Sequence, residues 1–167
     1  MSPQTVTVDR IELIPSGFFI VHYSFQSPAG VLGVLTMPAF RRDSTFRDAD
    51  GREWTMRHRS LGRNEYGMYR EGEVVAVARP RGFWRSSLDV FFPGQACLLE
   101  PTGRWLSRWQ LSGADGNPLL EIRFRGAFRQ RLVVELLGPL WVEWIAFACY
   151  SVLTRIQEYA AAAAASA

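Results

Sequence analysis

The stretch Leu140-Trp141-Val142-Glu143-Trp144-Ile145-Ala146-Phe147-Ala148-Cys149-Tyr150-Ser151-Val152-Leu153 decides the fold. From Leu140 to Tyr159 the chain contains neither glycine nor proline, and Pro139 suits the first turn of a helix. The segment is apolar on nearly every side, and a helix without a polar face is buried either in a protein core or in a membrane. A crossing over Leu132–Leu153 would be interrupted by Gly138-Pro139 and would carry Glu135 and Glu143. A carboxylate at mid-membrane costs a few kcal/mol. The most apolar part, Leu140–Leu153, spans only about 21 Å as a helix, against a hydrocarbon core of about 30 Å. The sequence therefore predicts a buried core helix over 139–159, followed by an alanine-rich tail over 160–167. A tail-anchored protein spanning the membrane through 132–153 is the alternative.

The rest of the chain supplies the wall. Short β-branched and aromatic runs recur at regular spacing, each stopped by a turn signal. They cover Thr5–Ile14, Gly17–Phe25, Val31–Met37, Ser44–Arg47, Glu53–Arg59, Tyr66–Arg70, Glu73–Arg79, Phe83–Phe92, Gln95–Glu100, Trp105–Ser112, Leu119–Arg125 and Arg131–Leu137. The breaks include Pro15-Ser16-Gly17, Asp48-Ala49-Asp50-Gly51, Glu71-Gly72, Pro93-Gly94 and Gly113–Pro118. About twelve strands at this spacing predict a mainly-β fold, closed or sandwiched. A barrel of about twelve strands enclosing the hydrophobic C-terminal helix satisfies both halves of the sequence, as one domain over 1–159.

This arrangement resembles the tubby C-terminal-like superfamily, which includes the Tubby, phospholipid scramblase and LURP-one-related proteins. The resemblance rests on Gly72–Arg79, Trp105–Leu111 and Gly116–Arg125, leading through Leu132–Leu137 into Leu140–Leu153. It implies a β-barrel around a hydrophobic C-terminal helix, and binding of phosphoinositide head groups by basic residues on the barrel surface. The cysteine-rich palmitoylation segment and acidic calcium segment of scramblases have no counterpart here, which argues against scramblase activity.

The chain has 167 residues, 48% of them hydrophobic and 21% charged, with a formal charge of +3. That composition excludes disordered, collagenous and disulfide-scaffold classes. All 19 basic residues are arginine, the side chain that contacts anions bidentately. A charge of +3 is modest and argues against a dedicated duplex nucleic-acid binder. Cys97 and Cys149 each have apolar neighbours and read as reduced, buried thiols. Met1–Arg10 is polar, lacks the pattern of a secretory signal, and has Ser2 where N-myristoylation needs glycine. These features point to a cytoplasmic protein, peripheral to a membrane if it binds lipid.

No catalytic motif occurs: no nucleophile elbow, zinc-protease, P-loop or dinucleotide pattern. His22 and His58 stand alone in strands, and no catalytic residue, metal site or cofactor is assigned. Glu135 and Glu143 are the one candidate carboxylate pair, and Asp48-Ala49-Asp50-Gly51 reads as a hairpin turn rather than a calcium loop. Arginine faces are the strongest remaining signal, because residues two apart share a face of a strand. Arg57 with Arg59, Arg79 with Arg81 (if the strand runs through Pro80) and Arg123 with Arg125 are the candidate anion-binding residues. Arg129 and Arg131 extend the set. The bland alternative is a solvated exterior, its arginines paired with Glu53, Glu73 and Glu121. Trp54, Trp84, Trp105 and Trp109 interleave with arginines, as at membrane interfaces or single-strand nucleic-acid sites. Core packing is the commoner use of Trp, and Phe83-Trp84 is the aromatic pair most suited to exposure. The predicted function is a non-enzymatic binding or scaffold module with an anionic phospholipid or membrane surface as partner. A protein partner is the other binding option. An enzyme with its pocket in the barrel is the alternative from a different class.

Overall fold

Two-residue alternation builds the wall. A computed structural model describes residues 5–6, 8–39, 43–59, 64–82, 86–126 and 131–166. Within them run β1 (Thr5–Val6), β2 (Arg10–Ser16), β3 (Ile20–Ser27), β4 (Gly30–Pro38), β5 (Ser44–Asp48), β6 (Glu53–Arg59) and β7 (Glu65–Arg70). They are followed by β8 (Glu73–Arg81), β9 (Ser87–Phe92), β10 (Gln95–Pro101), β11 (Arg108–Gly113), β12 (Pro118–Arg125), β13 (Arg131–Leu136), β14 (Leu140–Trp141) and α1 (Val142–Ala165). Strands β2 to β13 form a closed twelve-stranded antiparallel barrel in which each strand pairs with its neighbours in sequence. Pairing of β13 with β2, Val134 opposite Ile11, closes the circle.

Ile11 and Leu13, Phe25, Leu35, Met56 and Met68 are representative of the inward side chains, all completely buried. An eight-stranded barrel is just wide enough to be filled by side chains, so twelve strands leave a lumen. α1 fills it. Val142 to Val152 are buried around the whole circumference of the helix. Trp144 stacks on Phe92 at 4.2 Å between ring centroids, and Tyr150 meets Tyr66 edge to face at 6.4 Å. Ala146, Ala148, Cys149 and Ser151 keep the helix slim between these rings, and the Ser151 hydroxyl donates to the Phe147 carbonyl at 2.8 Å. Mainly-β architecture around one C-terminal helix is what the sequence predicts.

The ends of the elements differ from expectation for local reasons. Leu140–Trp141 pairs as β14 with Thr5–Val6, so the helix begins at Val142 rather than at Pro139. This also splits the run Thr5–Ile14 into two strands. The helix continues through the alanines to Ala165, so most of the predicted tail is helical. Trp105 falls in a 3₁₀ turn, Arg104–Leu106, and the strand that follows starts at Arg108. β8 does run through Pro80, which pairs with Leu88 of β9. The β7 register ends at Tyr66 opposite Ala78, so the missing N–H of Pro80 costs no ladder bond. The membrane-span alternative over 132–153 is not one element, being β13, β14 and the buried first half of α1. Among the described residues no helix is long and apolar enough to cross a membrane.

Because α1 is the lumen's filling, truncating its rings exposes the consequence directly. Phe147→Ala should lower stability by about 3–5 kcal/mol in a denaturant melt. Ala163→Ser, on the exposed last turns, should change it by less than about 0.5 kcal/mol.

Candidate functional site

An up-and-down barrel sorts its residues by end. Even-numbered strands run from the end where α1 enters, here the lower end, to the upper end; odd-numbered strands return. All six candidate arginines lie on the upper halves of even strands: Arg57 and Arg59 on β6, Arg79 and Arg81 on β8, Arg123 and Arg125 on β12. Arg104, Arg108 and Arg131 join them at that end, with Arg155 on the upper part of α1. Against these ten stand five carboxylates, those of Asp43, Glu65, Asp89, Glu100 and Glu158. Glu121 sits near mid-height. The lower end is the reverse: four arginines among the described residues (Arg10, Arg47, Arg52, Arg70) against ten carboxylates. All 16 acidic residues of the chain fall within the described segments. The described barrel is thus basic at one end and acidic at the other.

The three arginine pairs share an end but not a wall. Strands β6 and β12 are six steps apart around a ring of twelve, on opposite sides, with β8 between them in order. Several of the candidates are also matched to carboxylates. Arg57 Nε donates to Asp43 at 2.8 Å, and Arg79 Nε to Glu65 at 2.7 Å. Arg81 lies 3.6 Å from Asp89, and Arg123 bonds Glu121 and lies 3.3 Å from Glu135. Arg59 stands opposite Glu65 and beside the Tyr69 ring, 5.8 Å from its centroid. Exposed pairs of this kind contribute little to stability, about 0–1 kcal/mol each. Their effect is to neutralise the wall.

Arg125 is different. It sits directly opposite Arg131 on β13, both exposed, and neither has an ion-pair partner among the described residues. Like charges directly opposite on adjacent strands destabilise a sheet. A bound anion would remove that cost.

Next along the rim, β13 pairs with β2, whose hairpin to β3 carries Phe18 and Phe19. These are exposed by 84% and 68%, and Ile20 beside them is half-exposed. By sequence, Phe18 and Phe19 belong to the run Gly17–Phe25 and the turn falls at Pro15-Ser16-Gly17. Instead Pro15 and Ser16 belong to β2, and the turn comes at Gly17. Its φ is +89°, and a Cβ there would lie 2.1 Å from the Ile20 carbonyl oxygen, so the position accepts only glycine. The signal was present in Gly17, but the aromatic run after it reads as strand by propensity. Phe83-Trp84, Arg85 and Arg129 lie outside the described residues, as does the Trp105 side chain. Trp54 and Trp109 are buried, which removes them from any exposed stacking platform.

A second polar cluster lines a cleft of about 580 Å³ where α1 leaves the barrel. Glu158 gathers His58 Nε2 at 3.0 Å, the Tyr66 hydroxyl at 2.8 Å and Arg155 at 2.9 Å. His58 stacks on Tyr66 and its Nε2 lies 2.6 Å from Asn64 Oδ1. Burial, then the Glu158 charge, pushes the Tyr66 hydroxyl pKa upward. These contacts fasten the end of the helix to β6 and β7. Sequence reading missed the cluster, because Tyr66 and Glu158 lie 92 positions apart and His58 lies farther still from Glu158.

The remaining candidates resolve as structure. Glu135 faces outward toward Arg123 while Glu143 is inside the lower end, so the wall separates the suggested carboxylate pair. Asp48 accepts from the Arg52 backbone at 2.8 Å and pairs with its guanidinium at 2.6 Å, with Asp50 at 3.1 Å, closing the hairpin turn. No group of three or more described His, Cys, Asp or Glu side chains is arranged to hold a metal ion. Both cysteines are buried; burial, with Asp115 nearby, raises the Cys97 pKa to about 11 and burial alone raises that of Cys149.

No protein-family model matches the chain, and no curated protein matches it. A search of solved structures finds an X-ray structure of a protein from Arabidopsis thaliana with a TM-score of 0.53 and 14% identity. The match covers 90% of this chain and 91% of that one. At that identity the likeness is one of fold.

Glu143 provides a pH test of the interior. It is 6% exposed, its Oε2 has no hydrogen-bond partner among the described residues, and burial raises its pKa despite Arg52 nearby. A carboxyl whose folded pKa exceeds its unfolded value favours folding when protonated. That contribution is complete below the unfolded value of about 4.3 and is lost as pH rises through the folded pKa. Glu143→Gln should therefore melt higher than the parent at pH 7, and the difference should shrink toward zero as pH falls to about 4.

Proposed function

We propose that this protein is a non-enzymatic module that binds anionic membrane surfaces through the arginine-bearing upper end of its barrel. The observation that carries this reading is the segregation of charge between the ends. A surface rich in phosphate would attract one end and repel the other, which orients the barrel as well as attracting it. Each basic residue close to an anionic leaflet contributes about 1 kcal/mol, so a handful suffices for reversible association. The resemblance to the tubby C-terminal-like superfamily supports the same ligand class, lipid head groups first. An enzymatic pocket inside the barrel is disfavoured because α1 and the inward side chains occupy that space.

Arg125 and Arg131 are the most direct test, since they are exposed and have no counter-ion among the described residues. Co-sedimentation with phosphatidylserine or phosphoinositide vesicles should show binding that weakens as salt rises, with none to neutral phosphatidylcholine. Arg125→Glu/Arg131→Glu should weaken binding on the order of tenfold or more. Arg47→Glu at the acidic end should leave it unchanged. Absence of binding to every anionic vesicle at low salt overturns the proposal.

A further inference from the structure

The hairpin tip at Phe18-Phe19 has no role in the core, and its placement is specific. We infer that Phe18 and Phe19 form an apolar wedge that enters the lipid interface while Arg125 and Arg131, at the ends of the two strands that follow β2 around the barrel, hold the head-group phosphates. This inference rests on the anionic-surface reading above and deepens it by naming the part of the rim that makes contact.

Three observations point to it. Phe18, Phe19 and Ile20 are consecutive large apolar side chains, and all three are substantially exposed. Single exposed apolar residues need no explanation, but a contiguous group on a protruding turn marks an interaction site. The other exposed large apolar side chains (Val31, Val74, Phe91 and Leu137) lie near the lower end on separate elements.

The tip is also held in shape. Gly17 fixes the turn with its positive φ, the Ala39 N–H donates to the Phe19 carbonyl at 2.9 Å, and the two rings meet edge to face at 5.3 Å. A pre-formed tip loses little conformational freedom on insertion.

Its electrostatic surroundings fit a bilayer. The upper carboxylates sit on β7, β9, β10, on α1 and just before β5. The arc from β11 through β13 to β2 and β3 carries none of them. That arc holds Arg108 and Arg123, both paired with Glu121 lower on β12, and beyond them Arg125 and Arg131, which have no ion-pair partner among the described residues. Rings at the acyl boundary flanked by guanidiniums at the phosphate level match the two layers of a membrane interface. Insertion would bring the unmatched Arg125–Arg131 pair to the phosphates that offset its repulsion.

Vesicle co-sedimentation of Phe18→Ser/Phe19→Ser separates this inference from the reading beneath it. With mixed phosphatidylcholine–phosphatidylserine vesicles, the variant should bind at least about tenfold more weakly than the parent chain. At high salt, where charge attraction is screened, the parent should keep residual binding that the variant loses. The thermal melt of the variant should match the parent, since both rings are already in solvent. If the parent binds and the variant binds equally well, the wedge is overturned and the electrostatic reading stands. If the parent binds no anionic vesicle, both fall. If the parent is an oligomer in sedimentation velocity and the variant a monomer, the tip is a protein contact and its assignment to lipid is overturned.

Discussion

Everything in this structure depends on burying the full circumference of one helix. An α-helix that is apolar on one stripe can lie on a sheet; one that is apolar all round needs a wall on every side. With side chains it is about 10–12 Å across. A barrel small enough to be filled by its own side chains could not admit it, and twelve strands can. The helix answers with small residues where the wall is close, at Ala146, Ala148 and Cys149, and with rings where it is not, as Trp144 does against Phe92. Lumen and helix are therefore one solution to one problem. The space that other barrels use for ligands is occupied.

That constraint leaves the outside of the wall as the open surface, and the meander then divides the outside in two. Because each strand pairs with its sequence neighbours, alternate turns fall at opposite ends. Acidic turns such as Asp48-Ala49-Asp50-Gly51 and Glu71-Gly72 collect at the lower end, and the arginine-bearing strand ends collect at the upper. Along the wall between them, charges are cancelled in place. Arg59, Glu65, Arg79 and Asp89 follow one another across β6 to β9 in a ladder of alternating sign. At the rim, Arg125 and Arg131 have no such partner among the described residues, and the next hairpin along turns its aromatic tip to solvent.

Much of the fold was legible in the sequence because it is written in short-range terms. Period-two alternation, turn residues and a helix free of Gly and Pro locate most strands within a residue or two. What could not be read is non-local. β14 exists because Leu140–Trp141 meets Thr5–Val6 from the other end of the chain, so the helix start could not be placed from Pro139. The i, i+2 rule gave each arginine pair its shared face but not its counter-ion. Asp43, which matches Arg57, comes from 14 positions earlier. Glu135 and Glu143 are close in sequence and lie on opposite sides of the wall, because a strand ends and a helix begins between them. Phe18-Phe19 failed for the opposite reason. Local propensity favours strand there, and Gly17 overrules it through a single backbone conformation and a close approach to the Ile20 carbonyl.

Net charge is a poor guide to such a molecule. A total of +3 spread over 167 residues would bring little attraction to any polyanion. Charges act in solution over about a Debye length, roughly 10 Å at 0.1 M salt. A seven-residue strand such as β2 is about 23 Å long, and its tilt in a barrel still leaves the two rims more than a Debye length apart. An approaching surface therefore meets the field of one rim, not the sum of both. At the upper rim that field is positive, and Arg125 and Arg131 have no counter-ion among the described residues. The carboxylates that bring the total down to +3 are mostly at the far end, where screening hides them from a surface held against the near one. Topology, by sorting side chains between the ends, gives a nearly neutral chain a strongly basic face.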